Sequence, residues 1–216
     1  MYNLHNISAL RKSLPAVLAI RQPGLGNEGD YIQAAITVPL IEKEGELAVL
    51  FEVRSQAVAR QPGDICFPGG KIEANDVGPL AAAVRETSEE LGVPAENIRI
   101  LGALDYLISP IGVALYPFVA ELSLPQNFTL STGEVAEVFM VPLTYLLNAK
   151  PLVTEMEMAT KPINGFPFDL LAENYPRGYR RRATYPVLFY KYDKYVIWGL
   201  TARVLEGFLK ICRTIV

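Results

Sequence analysis

The chain has 216 residues, half of them apolar, with 20 Lys plus Arg against 23 Asp plus Glu and a formal net charge of -3. That length and apolar content can bury a core, and the near-balance of charge gives no general attraction to a polyanion, so no nucleic-acid partner is expected. Cys66 and Cys212 are the only cysteines and His5 the only histidine; they exclude a disulfide framework, a zinc-ligand spacing and a histidine-based triad. A reducing compartment is expected, and any metal must be held by oxygen.

The opening stretch MYNLHNISALRKSL lacks the continuous apolar core and small-residue cleavage site of a signal peptide, and the mature protein is expected to begin there. Ile7, Leu10 and Leu14 follow helical spacing behind Asn6 as a cap, and Pro15 discourages continuation, so a short leading helix is expected. Gln22 to Asp30 is rich in turn formers. A strand is expected over Ala34 to Ile41 and a second over Leu47 to Arg54, joined as a hairpin near Gly45.

A loop, SQAVARQPGDICFPGG, leads to a helix from about Pro79 to Leu91, stopped by Gly92, with Leu80, Val84, Thr87 and Leu91 on one face. Further strands are expected at Ile98 to Leu107, Val113 to Leu122 and Glu137 to Val141, then a helix opening at Pro142. Pro162 to Gly178 reads as loop, TYPVLFYKYDKYVIWG as a strand pair around Asp193, and Leu200 to Cys212 as the last helix. The apolar runs are too interrupted to span a membrane, Pro117 and Glu121 breaking one and Arg203 and Glu206 another. Strands interleaved with a few unequal helices predict an α+β class, a sandwich with a mixed sheet, in one domain over residues 1–216. Its core should run over roughly 32–210 behind the leading helix, in a soluble cytoplasmic protein with no membrane partner.

The segment RETSEELG, Arg85 to Gly92, draws attention because Glu86, Glu89 and Glu90 are helical neighbours near a C-terminal end, where like charges repel and oppose the helix dipole. Arg85 can pair with one of them; a hard divalent cation, Mg²⁺ or Mn²⁺, would compensate the set more fully. A solvated acidic face is the other reading of the helix taken alone. FPGG, Phe67 to Gly70, adds backbone able to approach an ion or phosphate closely.

Together, GGKIEANDVGPLAAAVRETSEELGV resembles the Nudix box of Nudix hydrolases, G-x5-E-x7-R-E-U-x-E-E-x-G-U with U apolar. It departs twice: Asp76 replaces the first Glu with one extra residue after it, and Thr87 takes the first apolar position. Asp76 either serves in place of that Glu or is a loop carboxylate. Leu50 to Gly70 resembles the motif L-L-T-x-R-S/A-x3-R-x3-G-x3-F-P-G-G of the coenzyme A pyrophosphatase group, with Arg54, Ser55, Gly63 and Phe67 to Gly70 in register. Glu52 stands where the motif has Thr, and Ala59 where it has its second Arg, Arg60 following one place later. EVAEVFMVPL from Glu134 and VIWGLTARVL from Val196 resemble the same group, so the likeness runs from about Ala34 to Leu209.

The resemblance implies a Nudix α/β/α sandwich and metal-dependent hydrolysis of the pyrophosphate of coenzyme A or its derivatives. By the same resemblance Glu86 and Glu90 are metal ligands, Glu89 a third ligand or the water-activating base, the Gly69 carbonyl a further ligand, and Arg85 an orienting residue. Arg54, Arg60, Lys71 and Gly70 are the substrate-binding set, and a homodimer is the implied assembly. Two other readings stay open: another nucleoside diphosphate derivative such as ADP-ribose as substrate, because of the displaced arginine, or a noncatalytic nucleotide-sensing domain, because of Thr87 and the altered spacing. Glu134 is a second possible base, though a polar residue opening a strand accounts for it better. YPRGYRRR, with Arg177 and Arg180 to Arg182, reads as a surface basic loop, Trp198 and its aromatic neighbours as strand packing, and Cys66 as a small buried residue without redox role.

Overall fold

The computed structural model describes residues 4–20, 26–43, 45–125 and 128–215. Two compact units emerge, Met1–Tyr31 and Ile32–Val216. The first holds helix α1, Leu4–Ile20, which begins before Asn6 and runs through Pro15. It is therefore longer than expected: a proline removes one backbone donor, and the residues beyond it keep helical geometry here. Of the turn-rich stretch, residues 22–25 lie outside the described residues, and Glu28–Asp30 form a single 3-10 turn.

In the second unit β1, Ile32–Lys43, and β2, Glu46–Arg54, form the expected hairpin, with Lys43 opposite Glu46. Short strand β3, Ile65–Cys66, precedes FPGG, and β4, Gly69–Lys71, begins with its two glycines and leads to α2, Pro79–Leu91. Pro79 opens the helix, where its missing donor costs nothing, and Gly92 closes it in the left-handed region at φ 62°. A Cβ at Gly92 would also lie 2.1 Å from the Thr129 carbonyl oxygen, so conformation and space both demand glycine.

The strand expected over Ile98 to Leu107 is two, β5, Ile98–Ala103, and β6, Leu107–Ser109, both antiparallel to β7, Val113–Leu122. The pairing shifts register between Ile100 and Gly102, and the chain leaves the ladder after Ala103. Next come β8, Val135–Pro142, and α3, Leu143–Asn148. Strand β9, Leu152–Thr160, was not expected; it pairs antiparallel with β10, Arg180–Tyr192, which turns at Asp193 into β11, Tyr195–Trp198. Helix α4, Gly199–Cys212, ends the fold.

The main sheet has the order β3-β2-β1-β7-β5, with β4 also on β1, β6 on β7 and β8 on β2; β1 and β7 are parallel and the other pairs antiparallel. A three-stranded sheet, β11-β10-β9, accompanies it. This is the expected α+β sandwich with a mixed sheet. Strand alternation sorts the two faces. Ile36, Val38 and Leu40 of β1 and Val49 and Phe51 of β2 pack with Leu146 of α3 and with Ala202, Leu205 and Leu209 of α4. On the other face Ala35 meets Ala82 and Ala83, while Ile41 and Leu50 meet Leu91 and Val93. Small alanines let α2 lie close to β1, whereas Leu80, expected on the inner face, is 43% exposed.

Candidate active site

The inner face of α2 carries Glu86 and Glu90 onto the two glycines that open β4. Glu90 is 6% exposed, and its Oε2 accepts the Gly69 N–H at 2.7 Å. Glu86 lies against Gly70, where a Cβ would fall 2.4 Å from its carboxyl carbon and 2.5 Å from both oxygens. Gly69 itself has φ 146°, and a Cβ there would strike the Ala35 carbonyl oxygen at 2.3 Å. The two glycines thus have separate reasons: Gly69 lets the backbone cross β1, and Gly70 leaves room for the Glu86 carboxylate.

Arg85 ties the outer side together. Its Nε and Nη2 donate to Asp76 Oδ1 and Oδ2 at 3.0 and 2.9 Å, while Nη1 donates to Glu86 Oε1 at 2.9 Å and Glu89 Oε2 at 3.2 Å. Nη2 also reaches the Lys71 carbonyl at 3.3 Å. The planar guanidinium suits a bidentate partner and two further carboxylates at once. Asp76 is therefore more than a solvated loop carboxylate: its side chain is 6% exposed and it accepts the Glu73 N–H as well. The Arg85 hydrogen bonds, then the backbone one, pull its carboxyl down to about 2.

Glu86, Glu89 and Glu90 do not form one face. Glu90 is buried, Glu86 half-buried and Glu89 58% exposed on the Arg85 side. Burial pushes the Glu86 carboxyl up despite Arg85 beside it. Burial pushes Glu90 to about 7 against the pull of the Gly69 amide, with the charges of Glu86 and Glu134 adding to the rise. Glu134, exposed in the turn just before β8, raises Glu52, Glu86 and Glu90 alike and so shares their field. Its backbone is fixed there because the Glu134 carbonyl accepts the Ser55 N–H at 2.7 Å.

Sequence reasoning gave Glu52 no role beyond a departure from a motif. The residue is 1% exposed on β2, two positions from Leu50 and so on the face turned to α2. Its Oε1 has no hydrogen-bond partner, its Oε2 faces Cys66 Sγ at 4.0 Å, and its carboxyl is near enough to Glu90 to feel that charge. Burial first, then the Glu90 charge, raises Glu52 well above the ordinary range. A glutamate on the buried face of an otherwise apolar strand was the signal available in the sequence. Cys66, half-buried, is pushed up to about 12 by burial and the Glu52 charge, which keeps its thiol protonated.

The donor set suits a hard divalent cation: it consists of carboxylate and carbonyl oxygens, with buried negative charge that Arg54 and Arg85 offset only in part and a buried oxygen lacking a partner. No three acidic, histidine or cysteine side chains among the described residues converge into a ready-made cage. Arg85 and the Gly69 amide hold oxygens of Glu86, Glu89 and Glu90 in this arrangement.

Arg54 is the cation that acts on the buried pair, its charge lowering both Glu52 and Glu90. Its Nε donates to the Arg60 carbonyl at 3.1 Å, so the loop that carries Arg60 is pinned beside it. The Arg60 and Lys71 side chains are exposed. Arg180 to Arg182, expected in a loop, begin strand β10; Arg181 pairs with Glu157 at 3.3 Å and Arg182 donates to Thr160 at 2.6 Å. Arg177 covers the Phe168 ring at 4.3 Å. Trp198 stacks on Phe189 as strand packing predicts. A depression among Glu46, Thr144, Tyr145, Asn148 and Tyr192 contains none of the site residues.

The NUDIX domain family model matches residues 31–160. The uncharacterized Nudix hydrolase NudL of Enterobacter sp. (strain 638) is 29% identical over 175 residues, 81% of this chain and 79% of that protein. The peroxisomal coenzyme A diphosphatase NUDT7 of Mus musculus is 32% identical over 132 residues, 60% of this chain and 56% of that protein. A crystal structure of a MutT/nudix family protein from Enterococcus faecalis aligns at TM-score 0.49 and 13% identity, covering 99% of this chain and 76% of that one. No helix among the described residues is long and apolar enough to cross a membrane.

Proposed function

Because the chain belongs to the Nudix hydrolase family, and from the arrangement of its site, we propose that it cleaves the pyrophosphate bond of coenzyme A or a derivative, giving 3',5'-ADP and 4'-phosphopantetheine. The observation that carries this reading is the junction of FPGG with the acidic helix: the Gly69 amide on Glu90 and the Glu86 carboxylate against Gly70, with Arg54 alongside. The diphosphatase of Mus musculus, similar over 60% of this chain, supports the substrate.

Nudix hydrolases generally need a divalent metal ion; in this reading Mg²⁺ or Mn²⁺ is held by Glu86, Glu90 and the Gly69 carbonyl, with Glu89 as third ligand or base. When bound, it neutralises charge on the pyrophosphate oxygens and the leaving phosphate. The chain's own residues do the rest. Arg85 holds Glu86 and Glu89 in place through one rigid fork, itself fixed by Asp76. Gly70 keeps the approach to Glu86 open. A base must reach the attacking water, and the exposed carboxylates of Glu89 and Glu134 border the site on the solvent side.

Coenzyme A also carries a 3'-phosphate, which calls for cations beyond the metal site; Arg54, Arg60 and Lys71 are the set we assign to the phosphates. Two cysteines are too few for a disulfide framework, and we assign the chain to a reducing compartment such as the cytoplasm; a homodimer is the assembly implied by the resemblance. The test is a panel at equal concentration of coenzyme A, acetyl-coenzyme A and ADP-ribose with Mg²⁺ or Mn²⁺. Higher kcat/KM on the coenzyme A compounds than on ADP-ribose is expected; the reverse order overturns the substrate while leaving the family activity intact.

A further inference from the structure

Strand β2 places Leu50 and Glu52 on the same face, and Leu50 packs against Leu91 and Val93. An aliphatic side chain would complete that surface at position 52. A carboxylate stands there instead, 1% exposed, with Oε1 lacking any hydrogen-bond partner. An unsatisfied buried oxygen is destabilising, the more so when charged. The placement therefore asks for a positive partner. Cys66 faces Oε2 at 4.0 Å, and the carboxyl whose charge bears most on Glu52 is that of Glu90, whose own Oε2 takes the Gly69 amide. Arg54, whose charge acts on both glutamates, donates its Nε to the Arg60 carbonyl.

We propose that Glu52 is a further cation ligand, sharing a divalent ion with Glu90 through its unpartnered Oε1. The proposal rests on the metal-dependent reading above and deepens it: the acidic set extends from α2 across to β2, at the position where the resembling motif has threonine. Carboxylate oxygen on both sides favours a hard ion, Mg²⁺ or Mn²⁺, and affinity rises with the number of charged ligands. A proton shared between Glu52 and Glu90 would meet the same electrostatic need, and metal binding separates the two.

The experiment titrates Mn²⁺ alone into the full chain by calorimetry and counts bound Mn²⁺ by electron paramagnetic resonance, for wild type, Glu52→Gln, Glu52→Thr and Glu90→Gln. Thermal melts establish which variants fold; Glu52→Thr carries the motif's own residue and serves if Glu52→Gln does not fold. The expected result is Mn²⁺ binding by wild type, with the Glu52 variants losing one bound ion or binding it at least about tenfold more weakly. Wild-type affinity and stoichiometry in a folded Glu52 variant, with Glu90→Gln impaired, overturns the role of Glu52 and leaves the metal site standing. A wild-type chain that binds no Mn²⁺ overturns both.

Discussion

The hydroxyls of Thr37 on β1 and Thr87 on α2 lie 2.8 Å apart in the buried seam between strand and helix, and Thr87 also bonds the Ala83 carbonyl at 2.7 Å. Thr87 occupies a position where the Nudix box is apolar, and Thr37 is the polar partner that makes this tolerable. Removing the Thr87 hydroxyl leaves that of Thr37 buried without this partner, at about 1–3 kcal/mol, whereas removing both is nearly neutral. Thr87→Val should lose stability of that order, and Thr37→Val/Thr87→Val should recover most of it. Urea unfolding of the double-mutant cycle measures the coupling.

Asp76 and Arg85 give a prediction in acid. The Asp76 carboxyl is held at about 2 in the fold, below its ordinary 3.8, so its contribution is fully present above about pH 4 and is lost as pH falls through the folded value. Between about pH 4 and pH 2 the wild type should lose stability more steeply than Asp76→Asn, which has nothing to titrate there. Denaturation midpoints at stepped pH decide it; parallel curves for the two proteins would mean that the pair does not contribute.

The two adjacent glycines should fail differently. Gly69→Ala forces a Cβ into the Ala35 carbonyl and Ile36 at a backbone angle that L residues rarely adopt, so it should lower stability by about 1–3 kcal/mol or more. Gly70→Ala meets only the end of the Glu86 side chain, which can swing aside. It should keep a melting temperature within a few degrees of wild type and lose about tenfold or more in kcat/KM. Equal losses of stability in both variants would contradict the separate roles assigned to them.

The parts legible in the sequence are those with local signals. Pro79 and Gly92 bracket α2 with the two residues that open and close helices, and the apolar β-branched runs of β1, β2 and β7 read directly as strands. Strand β9 gave a weaker signal: in LVTEMEMAT Met156 and Met158 alternate with Glu155 and Glu157 without a β-branched run, the strand is exposed along nearly its whole length, and its partner β10 begins only at Arg180. For the same reason Arg180 to Arg182 looked like loop. At the site, the grouping of Glu86, Glu89 and Glu90 was visible, but helical spacing could not show that Glu90 turns inward to Gly69 while Glu89 stays outside on Arg85. Asp76 and Glu52 needed tertiary contacts. One meets Arg85 across a loop, and the other reaches Glu90 from a different element.

Glu90→Gln keeps shape and removes the charge nearest the Gly69 amide. The loss of a few kcal/mol of transition-state charge stabilisation corresponds to about 100-fold or more in turnover, with 1.36 kcal/mol per factor of ten. Its melting temperature should not fall, since the buried charge it removes is itself costly. A variant that melts far below wild type would assign Glu90 to the fold rather than the chemistry.

The most direct measurement is mass spectrometry of products after incubating the full chain with coenzyme A and Mg²⁺ or Mn²⁺, with a metal-free control and Glu90→Gln in parallel. The account predicts 3',5'-ADP and 4'-phosphopantetheine in equal amounts from the wild type, absent without the cation and nearly absent from the variant. Intact coenzyme A under all conditions, or equal cleavage by wild type and Glu90→Gln, would contradict it.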